Sequence, residues 1–318
     1  MKRKVSRLVP REDEGIRLEH FLRKRMHLTK NEISRAKFFR EGICVNGDRR
    51  KVSTCLESGD LVEVLLETGE EVSEKLQAFP GSLSVLYEDQ DVIVVDKPSG
   101  LAVHPSGQDD IDTLANRLAA YLREKKEDSV IRIMGRLDKG TSGVVLAVKN
   151  RGAAVRLERQ RECGQLCKSY LAIVEGVPRP EQGRIDSPLG QEPGEKSQMC
   201  VDPEGKRAVT RYTLLKTIHV ARRGMPCEMP PEGESGETDK SCALVRLELE
   251  TGRTHQIRVH MASIGHPLLG DSRYGNGTIP GMERTALHAW RLHFLQPFTG
   301  EELQVEASVP VDMQALLL

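Results

Sequence analysis

The densest group of reactive side chains is the segment Arg136–Gly143, which reads RLDKGTSG. It combines the carboxylate of Asp138 with two cations and two hydroxyls, directly before the apolar run VVLAV. A polar loop that leads into a buried strand can present a side chain at a cleft, and burying so many charges is unfavourable unless they pair. The segment can therefore display a reactive side chain at a cleft, and an ordinary surface turn is the alternative.

Spacing excludes two other kinds of catalytic loop. GTSGV has Val144 where the nucleophile elbow G-x-S-x-G requires glycine. The phosphate-binding pattern GxxxxGK[ST] does not occur in the sequence. The segment thus indicates neither a serine hydrolase of that type nor a P-loop nucleotide hydrolase.

A second polar segment, residues 250–275, reads ETGRTHQIRVHMASIGHPLLGDSRYG. We expect Thr254 to cap a helix whose apolar stripe consists of Ile257, Met261 and Ile264, and Gly265 to end it. Arg253 and Arg258 then lie at the start of this helix, where their guanidinium groups can bind a carboxylate or a phosphate through two hydrogen bonds.

Three histidines in this segment, His255, His260 and His266, suggest a metal site as an alternative. His255 and His260 are five residues apart, whereas two ligands that share a helix face are four apart, and the H-E-x-x-H pattern is missing. Hydrogen bonding at the helix ends is the better interpretation.

Two weaker segments carry further polar candidates. Lys168 and Tyr170 open the strand-like run LAIVEG. Lys97 follows the apolar run VIVV in a KPSG turn, and His104 follows a few residues later. A tyrosine at a strand start is usually a packing residue, so neither segment identifies a site by itself.

The elements around these residues indicate two units. Residues 1–64 contain 16 Lys and Arg against 10 Asp and Glu, although the net charge of the whole chain is zero. Their pattern predicts two short basic helices, over 17–26 and 30–40 with Gly42 as C-cap, and then a hairpin at Asn46-Gly47. A local basic patch of this kind favours phosphate binding more than the net charge suggests.

The rest of the chain predicts a larger mixed α/β unit. Strand-like runs (SVLY, VIVV, GVVLAV, SYLAIV and ALVRLELE) alternate with helical stretches at 112–125, 150–162 and 254–264. We predict a small basic domain over 1–66, an acidic linker over 67–82 and a larger domain over 83–318. The polar run 222–241 is expected to be a surface loop.

Composition limits the remaining possibilities. No apolar run approaches the roughly 20 residues of a membrane span, and no signal-peptide pattern follows the basic N-terminus. The seven cysteines form no CxxC pair, which favours reduced thiols over disulfides or zinc, although Cys163 and Cys167 are one helical turn apart. We expect a cytoplasmic protein.

The four polar segments resemble, in order and spacing, the catalytic domain of the RluA-type pseudouridine synthases. The resemblance covers about residues 83–310 and implies a mixed, largely antiparallel central sheet with flanking helices and a catalytic cleft. It implies that Asp138 is the catalytic aspartate, that Tyr170 lies against the target base and that Arg258, with Arg253 as the alternative, pairs with the aspartate. Gly135 departs from the histidine that usually precedes RLD in this family.

The same resemblance implies a set of substrate contacts. Arg136 corresponds to an arginine that helps to rearrange the RNA around the flipped nucleotide. Lys168, Arg253, Lys97 and His104 are the other expected substrate-binding residues.

Residues 15–66 resemble the RNA-binding domain named after small-subunit ribosomal protein S-four, on RLEHFLRKR, GICVNG and ESGDLVEV. The basic positions of its two helices are the expected RNA contacts: Arg23, Lys30, Arg35, Lys37 and Arg40.

The resemblance implies an RNA pseudouridine synthase, an isomerase that requires no cofactor. Its expected substrate is large-subunit rRNA, with tRNA as the second possibility, and a monomer is the default. Two alternatives stay open at this stage: a non-catalytic RNA-binding or ribosome-assembly protein that retains the fold, which Gly135 favours, and a metal-dependent hydrolase that uses the three histidines.

Overall fold

The computed structural model describes residues 2–67, 76–107, 110–127, 131–195, 198–220 and 240–317. Within these residues, a four-stranded sheet and a ten-stranded sheet each pack against an apolar core, and a two-stranded hairpin stands apart. The fold class is the predicted mixture of α and β with a large, mostly antiparallel sheet. No helix in this part of the chain combines the length and apolar character needed to cross a bilayer.

The N-terminal unit is a small sheet covered by two helices. Its elements in chain order are β1 (Lys2–Leu8), α1 (Leu18–Lys24), α2 (Lys30–Ala36), β2 (Ile43–Val45), β3 (Asp48–Arg49) and β4 (Leu61–Glu67). The strands lie in the order β1-β4-β2-β3, and every pair is antiparallel. Leu18, Phe21 and Leu22 of α1 are fully buried against this sheet.

The second basic helix is shorter than its sequence predicts. It starts with a reciprocal capping box, in which the Glu32 amide donates to Thr29 Oγ1 and the Thr29 amide donates to Glu32 Oε2. It ends at Ala36 rather than at Arg40, so the prediction of Gly42 as its C-cap was wrong. Gly42 instead packs so closely that an added Cβ would lie 1.6 Å from the Ala36 carbonyl oxygen.

The larger unit contains the remaining elements. In chain order they are β5 (Ser84–Glu88), β6 (Val92–Lys97), α3 (Leu114–Glu124), β7 (Arg132–Ile133), β8 (Ser142–Val148), α4 (Arg151–Glu162), β9 (Cys167–Glu175), β10 (Gln182–Asp186), β11 (Leu189–Gln191), β12 (Met199–Val201), β13 (Val209–Val220), β14 (Lys240–Leu249), α5 (Gln256–Ser263), β15 (Leu287–Leu295), β16 (Glu302–Glu306) and α6 (Val311–Ala315).

The main sheet has the order β10-β13-β14-β9-β15-β8-β6-β5, with β16 on β15 and β7 on β8. Only β8 and β15 pair in parallel among the described strands. All seven residues of β8 are buried. The five predicted strand runs are all strands, and the three predicted helical stretches are α3, α4 and α5. The predicted loop at 222–241 lies almost entirely outside the described residues.

The two units touch at Phe298. Its ring lies between the guanidinium groups of Arg3 and Arg156, whose central carbons are 4.0 and 4.2 Å from the ring centroid. Arg3 also pairs with the buried Asp91, and Arg156 donates to Glu32 Oε1 of the α2 capping box over 3.1 Å. These contacts hold the basic helices against the larger unit.

Candidate active site

A cleft of about 980 Å³ opens over the centre of the main sheet. Its wall is built from the loop between β7 and β8, the first residues of β9, the end of β14 and the start of α5. Asp138, Tyr170 and Arg258 all line it, although they lie far apart in the sequence. The fold therefore brings the three predicted catalytic residues into one cavity.

The Asp138 loop is held from behind by the KPSG turn. Lys97 is fully buried, and its ammonium group donates to the carbonyls of Pro98, Leu101 and Lys139 over 2.9, 2.8 and 3.3 Å. Ser99 Oγ donates to the Gly140 carbonyl over 2.9 Å. Burial lowers the pKa of Lys97 to about 8, and the charge of Asp138 opposes that shift. Lys97 thus lies beneath the loop rather than on the cleft surface.

Two glycines fix the path of this loop. Gly143 has φ +112, and an added Cβ would lie 2.1 Å from the Ala289 carbonyl oxygen. This close approach lets β15 lie beside β8. Gly135 has φ +85, a left-handed conformation that favours glycine, and an added Cβ would be 4.0 Å from Lys168 Nζ. The glycine that replaces the usual histidine therefore suits the backbone conformation at this position.

Arg258 is the arginine that faces Asp138. Its Nη1 lies 3.7 Å from Asp138 Oδ2, while its Nε and Nη2 donate to the two oxygens of Asp271 over 2.7 and 2.8 Å. Asp271 is fully buried and also accepts the amides of Arg273 and Tyr274. Burial alone would lower the pKa of Arg258, but the bonds to Asp271 and the charge of Asp138 raise it above its ordinary value.

A histidine that is hydrogen-bonded to a tyrosine also lies near the carboxylate of Asp138. His255 Nε2 lies 3.8 Å from Asp138 Oδ2, and His255 Nδ1 lies 2.8 Å from Tyr274 Oη. The Tyr274 hydroxyl also accepts the Met199 amide over 2.9 Å. Burial lowers the pKa of His255, an effect that Asp138 opposes and that nearby arginines (Arg258, Arg273 and Arg136) reinforce. Burial therefore favours the neutral form of the imidazole.

The prediction that Thr254 caps this helix was wrong. The N-cap of α5 is His255, with φ 54 in the left-handed region, and Thr254 does not cap the helix. A non-glycine residue in this conformation is uncommon and is found preferentially at functional sites. The strained backbone places the imidazole beside Asp138.

The carboxylate of Asp138 has a distinctive environment. In the described part of the chain, its oxygens accept no hydrogen bond from a protein group, and the nitrogens of Arg258 and His255 lie 3.7 and 3.8 Å from Oδ2. Its side chain is 19% exposed, so it is open to the cleft. A carboxylate with a cation nearby and no bound donor keeps its lone pairs available for chemistry.

The remaining cleft residues provide an apolar surface and additional cations. Tyr170 is buried at the start of β9, and burial together with Asp138 raises its pKa. Lys168 is partly exposed to the cleft, and desolvation lowers its pKa to about 8. Arg136 Nη1 donates to Thr254 Oγ1 over 3.2 Å, which links the Asp138 loop to the segment before α5.

Other predicted site residues lie elsewhere. Arg253 lines the cleft, but its Nε donates to the Arg207 carbonyl over 3.0 Å, so Arg258 rather than Arg253 lies against Asp138. His104 is exposed and is not part of the described cleft lining. The five basic positions of the N-terminal helices lie outside this lining too, and all are exposed: Arg23, Lys30, Arg35, Lys37 and Arg40.

The three histidines do not converge on one point. His260 binds Thr210 Oγ1 and the Ser187 carbonyl, each over 2.9 Å, and His266 binds the Glu175 carbonyl over 2.9 Å. The residues that the structure describes contain no group of three His, Cys, Asp or Glu side chains placed to hold a metal ion.

Sequence reasoning missed Asp271 and Tyr274 as site residues. Both lie in the motif GDSRYG, which follows α5 after the Gly265–Pro267 turn. An acidic residue and an aromatic residue after the turn that ends an arginine-containing helix were an available signal, because such a turn folds the chain back on the helix.

Comparison with known proteins agrees with this geometry. Residues 91–263 match the family model for RNA pseudouridylate synthase. The uncharacterized RNA pseudouridine synthase YlyB of Bacillus subtilis is 36% identical over 313 residues, which cover 96% of this chain and 94% of that protein. The chain belongs to the RNA pseudouridylate synthase family.

Relatives with assigned names in this family are similarly close. The ribosomal large subunit pseudouridine synthase D of Vibrio cholerae is 36% identical over 290 residues, which cover 87% of this chain and 82% of that protein. Among solved structures, human RNA pseudouridylate synthase domain containing 1 superposes with a TM-score of 0.54 at 27% identity, covering 72% of this chain and 86% of that one. Members of this pseudouridylate synthase family act on RNA and are isomerases.

Proposed function

We propose that this chain converts uridine to pseudouridine in large-subunit ribosomal RNA and that Asp138 is its catalytic carboxylate. The observation that carries the proposal is the cleft itself, where Asp138 faces Arg258 Nη1 at 3.7 Å and Tyr170 lies on the same wall. The similarity to the Vibrio cholerae large-subunit synthase supports ribosomal RNA as the substrate.

The reaction is an isomerisation that balances without a redox partner or group donor. The bond between ribose C1′ and uracil N1 breaks, a bond from C1′ to C5 forms, C5 loses a proton and N1 gains one. Asp138 acts either by attacking C1′, as a glycosidase nucleophile does, or by removing the proton from C2′. Arg258 provides the permanent positive charge that keeps the carboxylate in place during either route.

The other residues bind and orient the nucleotide. A uridine within a helix is inaccessible, so it must leave its stack at a cost of a few kcal/mol. Tyr170 offers a ring face for the extruded uracil, and such stacking contributes about 1–3 kcal/mol. Lys168 and Arg136 lie where they can contact the adjoining phosphates. Lys97 contributes indirectly, because its bond to the Lys139 carbonyl ties the KPSG segment to the Asp138 loop.

The basic helices of the N-terminal unit provide a second contact with RNA in this proposal. We assign residues 1–66 as the RNA-binding domain, 67–82 as a linker and 83–318 as the catalytic domain of a monomeric, cytoplasmic enzyme. In the described residues, Lys30, Arg35, Lys37 and Arg40 form no ion pair, so their charges are available to phosphates.

The contacts at Phe298 make point variants a better test of this domain than truncation. The triple change Arg35→Ala, Lys37→Ala and Arg40→Ala should raise KM for rRNA more than it lowers kcat. Lys4→Ala is the matched control, because Lys4 is exposed but already paired with Glu63 over 2.6 Å. Equal KM values for the triple variant and the control would remove the N-terminal helices from the proposal.

The central test uses purified enzyme with large-subunit rRNA and with tRNA as separate substrates. Wild type should form pseudouridine in rRNA, and Asp138→Asn should form none while it still binds the RNA. Turnover of tRNA alone would change the assigned substrate. RNA binding without any product from wild type would favour the non-catalytic alternative.

A further inference from the structure

Four arginines gather at the end of the cleft where β14 leads into α5. Arg184, Arg207 and Arg211 pair with Glu250, and Arg253 joins them through its bond to the Arg207 carbonyl; these four arginines form the arginine rim. Arg211, Arg253 and Glu250 line the same cavity as Asp138, so the rim is continuous with the active site.

The sheet register forces two of these cations together. Arg184 on β10 lies directly opposite Arg211 on β13 in the antiparallel pair. Like charges in this position destabilise a sheet. Glu250 relieves the repulsion, because its Oε1 lies 2.8 Å from Arg211 and 3.3 Å from Arg184, and its Oε2 lies 3.7 Å from Arg207.

One carboxylate cannot satisfy this many donors. Each guanidinium carries five N–H groups, whereas a carboxylate accepts about four hydrogen bonds. Asp186 takes one further bond from Arg184, and the Arg207 carbonyl takes one from Arg253. Most N–H groups of the rim therefore face solvent, and the side chains of Arg207 and Arg211 are 64% and 59% exposed.

Stability does not explain the arrangement. Ion pairs this exposed contribute little to stability, so pairing with Glu250 alone gives no reason to place two arginines opposite each other. An anion with several oxygens, bound across neighbouring guanidinium groups, uses the spare donors that Glu250 leaves.

We propose that the arginine rim binds consecutive backbone phosphates of the RNA strand beside the uridine held in the cleft. The proposal rests on the proposed function and adds the place where the flanking strand leaves the active site. Phosphates are the ligand because the rim presents several planar guanidinium cations to solvent, and because it borders the cavity that takes the base. Glu250 sets the spacing of the guanidinium groups before RNA arrives.

The test measures the dissociation constant for the rRNA substrate at several salt concentrations. Removing one arginine that binds a phosphate should make the slope of log K against log salt shallower by about 0.7–0.9. Arg207→Ala and Arg211→Ala should each show that change and weaken binding several-fold at low salt. Neither substitution touches the core, and a thermal melt verifies that both variants fold.

The matched control is Arg179→Ala. Arg179 is 72% exposed, pairs with Glu181 over 2.8 Å, contacts neither Glu250 nor Asp186 among the described ion pairs, and is not part of the described lining of the Asp138 cavity. This variant should keep the wild-type slope and affinity. Rim variants that match Arg179→Ala would overturn the proposal while leaving the isomerase assignment intact. A wild-type enzyme that forms no pseudouridine, with rim variants still altering the slope, would instead overturn the proposed function alone.

Discussion

The buried pair between Arg258 and Asp271 offers the sharpest single perturbation of the site. Asp271→Asn keeps the shape of the side chain and one acceptor oxygen but removes its charge. The substituted amide group must then face a guanidinium donor in a fully buried position, where Asp271 now accepts two bonds from Arg258. The third nitrogen of that guanidinium is the one that lies 3.7 Å from Asp138.

The expected size of the effect follows from the geometry. Removing one partner of a buried pair costs about 3–5 kcal/mol of stability. The folded pKa of Asp271 lies below its ordinary value, since bonds from Arg258 outweigh its burial. The ionised Asp271 side chain therefore stabilises the folded protein above the pKa of an unfolded aspartate, about 4. This stabilisation is lost as the pH falls through the lower pKa that Asp271 has in the folded protein. A displacement of Arg258 by about 1 Å should lower kcat on the order of 100-fold.

The assay combines single-turnover kinetics with denaturant unfolding. Asp271→Asn should lower the rate of the chemical step about 100-fold, with a much smaller change in RNA affinity. Asp312→Asn is the matched control, because Asp312 binds Arg284 in the same two-bond geometry, over 2.5 and 2.9 Å, outside the described cleft lining.

The two variants separate a positioning role from a structural one. Asp312→Asn should lower the free energy of unfolding without lowering the rate of the chemical step. An Asp271→Asn enzyme that folds and reacts at the wild-type rate would refute the reasoning. So would an equal rate loss in the control.

Three further predictions concern neighbouring residues. Gly143→Ala should cost about 2–6 kcal/mol in the free energy of unfolding, measured by denaturant titration, because it adds strain at φ +112 to a clash with β15. Since the pKa of Lys168 is about 8, KM for RNA should rise between pH 7 and pH 9 as the amine loses its proton, and Lys168→Arg should remove that rise. Tyr274→Phe should lower kcat about three- to tenfold, because the hydroxyl that orients His255 toward Asp138 is absent from the variant. Tyr212→Phe, whose hydroxyl binds the Pro180 carbonyl instead, should not.

Local patterns in the sequence predicted much of the larger unit. The apolar run after Gly143 is long enough to be a buried strand, and α3, α4 and α5 have helical periodicity. The loop that carries Asp138 was recognisable because polar residues precede a buried strand, whereas the catalytic role predicted for Asp138 came from the family resemblance. The boundaries were less accurate at α2, where a capping box set the start but tight packing of Gly42 ended the helix early.

Contacts between distant segments could not be predicted in the same way. Asp271 pairs with Arg258 only after the chain turns back on α5. A lysine in a KPSG turn is expected at the surface. The ammonium group of Lys97 is instead enclosed by carbonyls from two loops. The opposition of Arg184 and Arg211 depends on strand register, which single-strand patterns do not specify.

The left-handed backbone conformation of His255 could not be predicted from the sequence either. Helix-start rules favour threonine as the cap, and Thr254 satisfied that rule by type and position. The structure uses the next residue, because the strained conformation places an imidazole beside the carboxylate. Local propensity yields to tertiary requirements at such a site.

The most direct test of the account is pseudouridine mapping of total RNA from cells that lack the gene, complemented with wild type or with Asp138→Asn. We predict that specific uridines in large-subunit rRNA lose the modification on deletion, that wild type restores it and that Asp138→Asn does not. Restoration by Asp138→Asn would contradict the central claim. Persistence of every site in the deletion strain would contradict it as well.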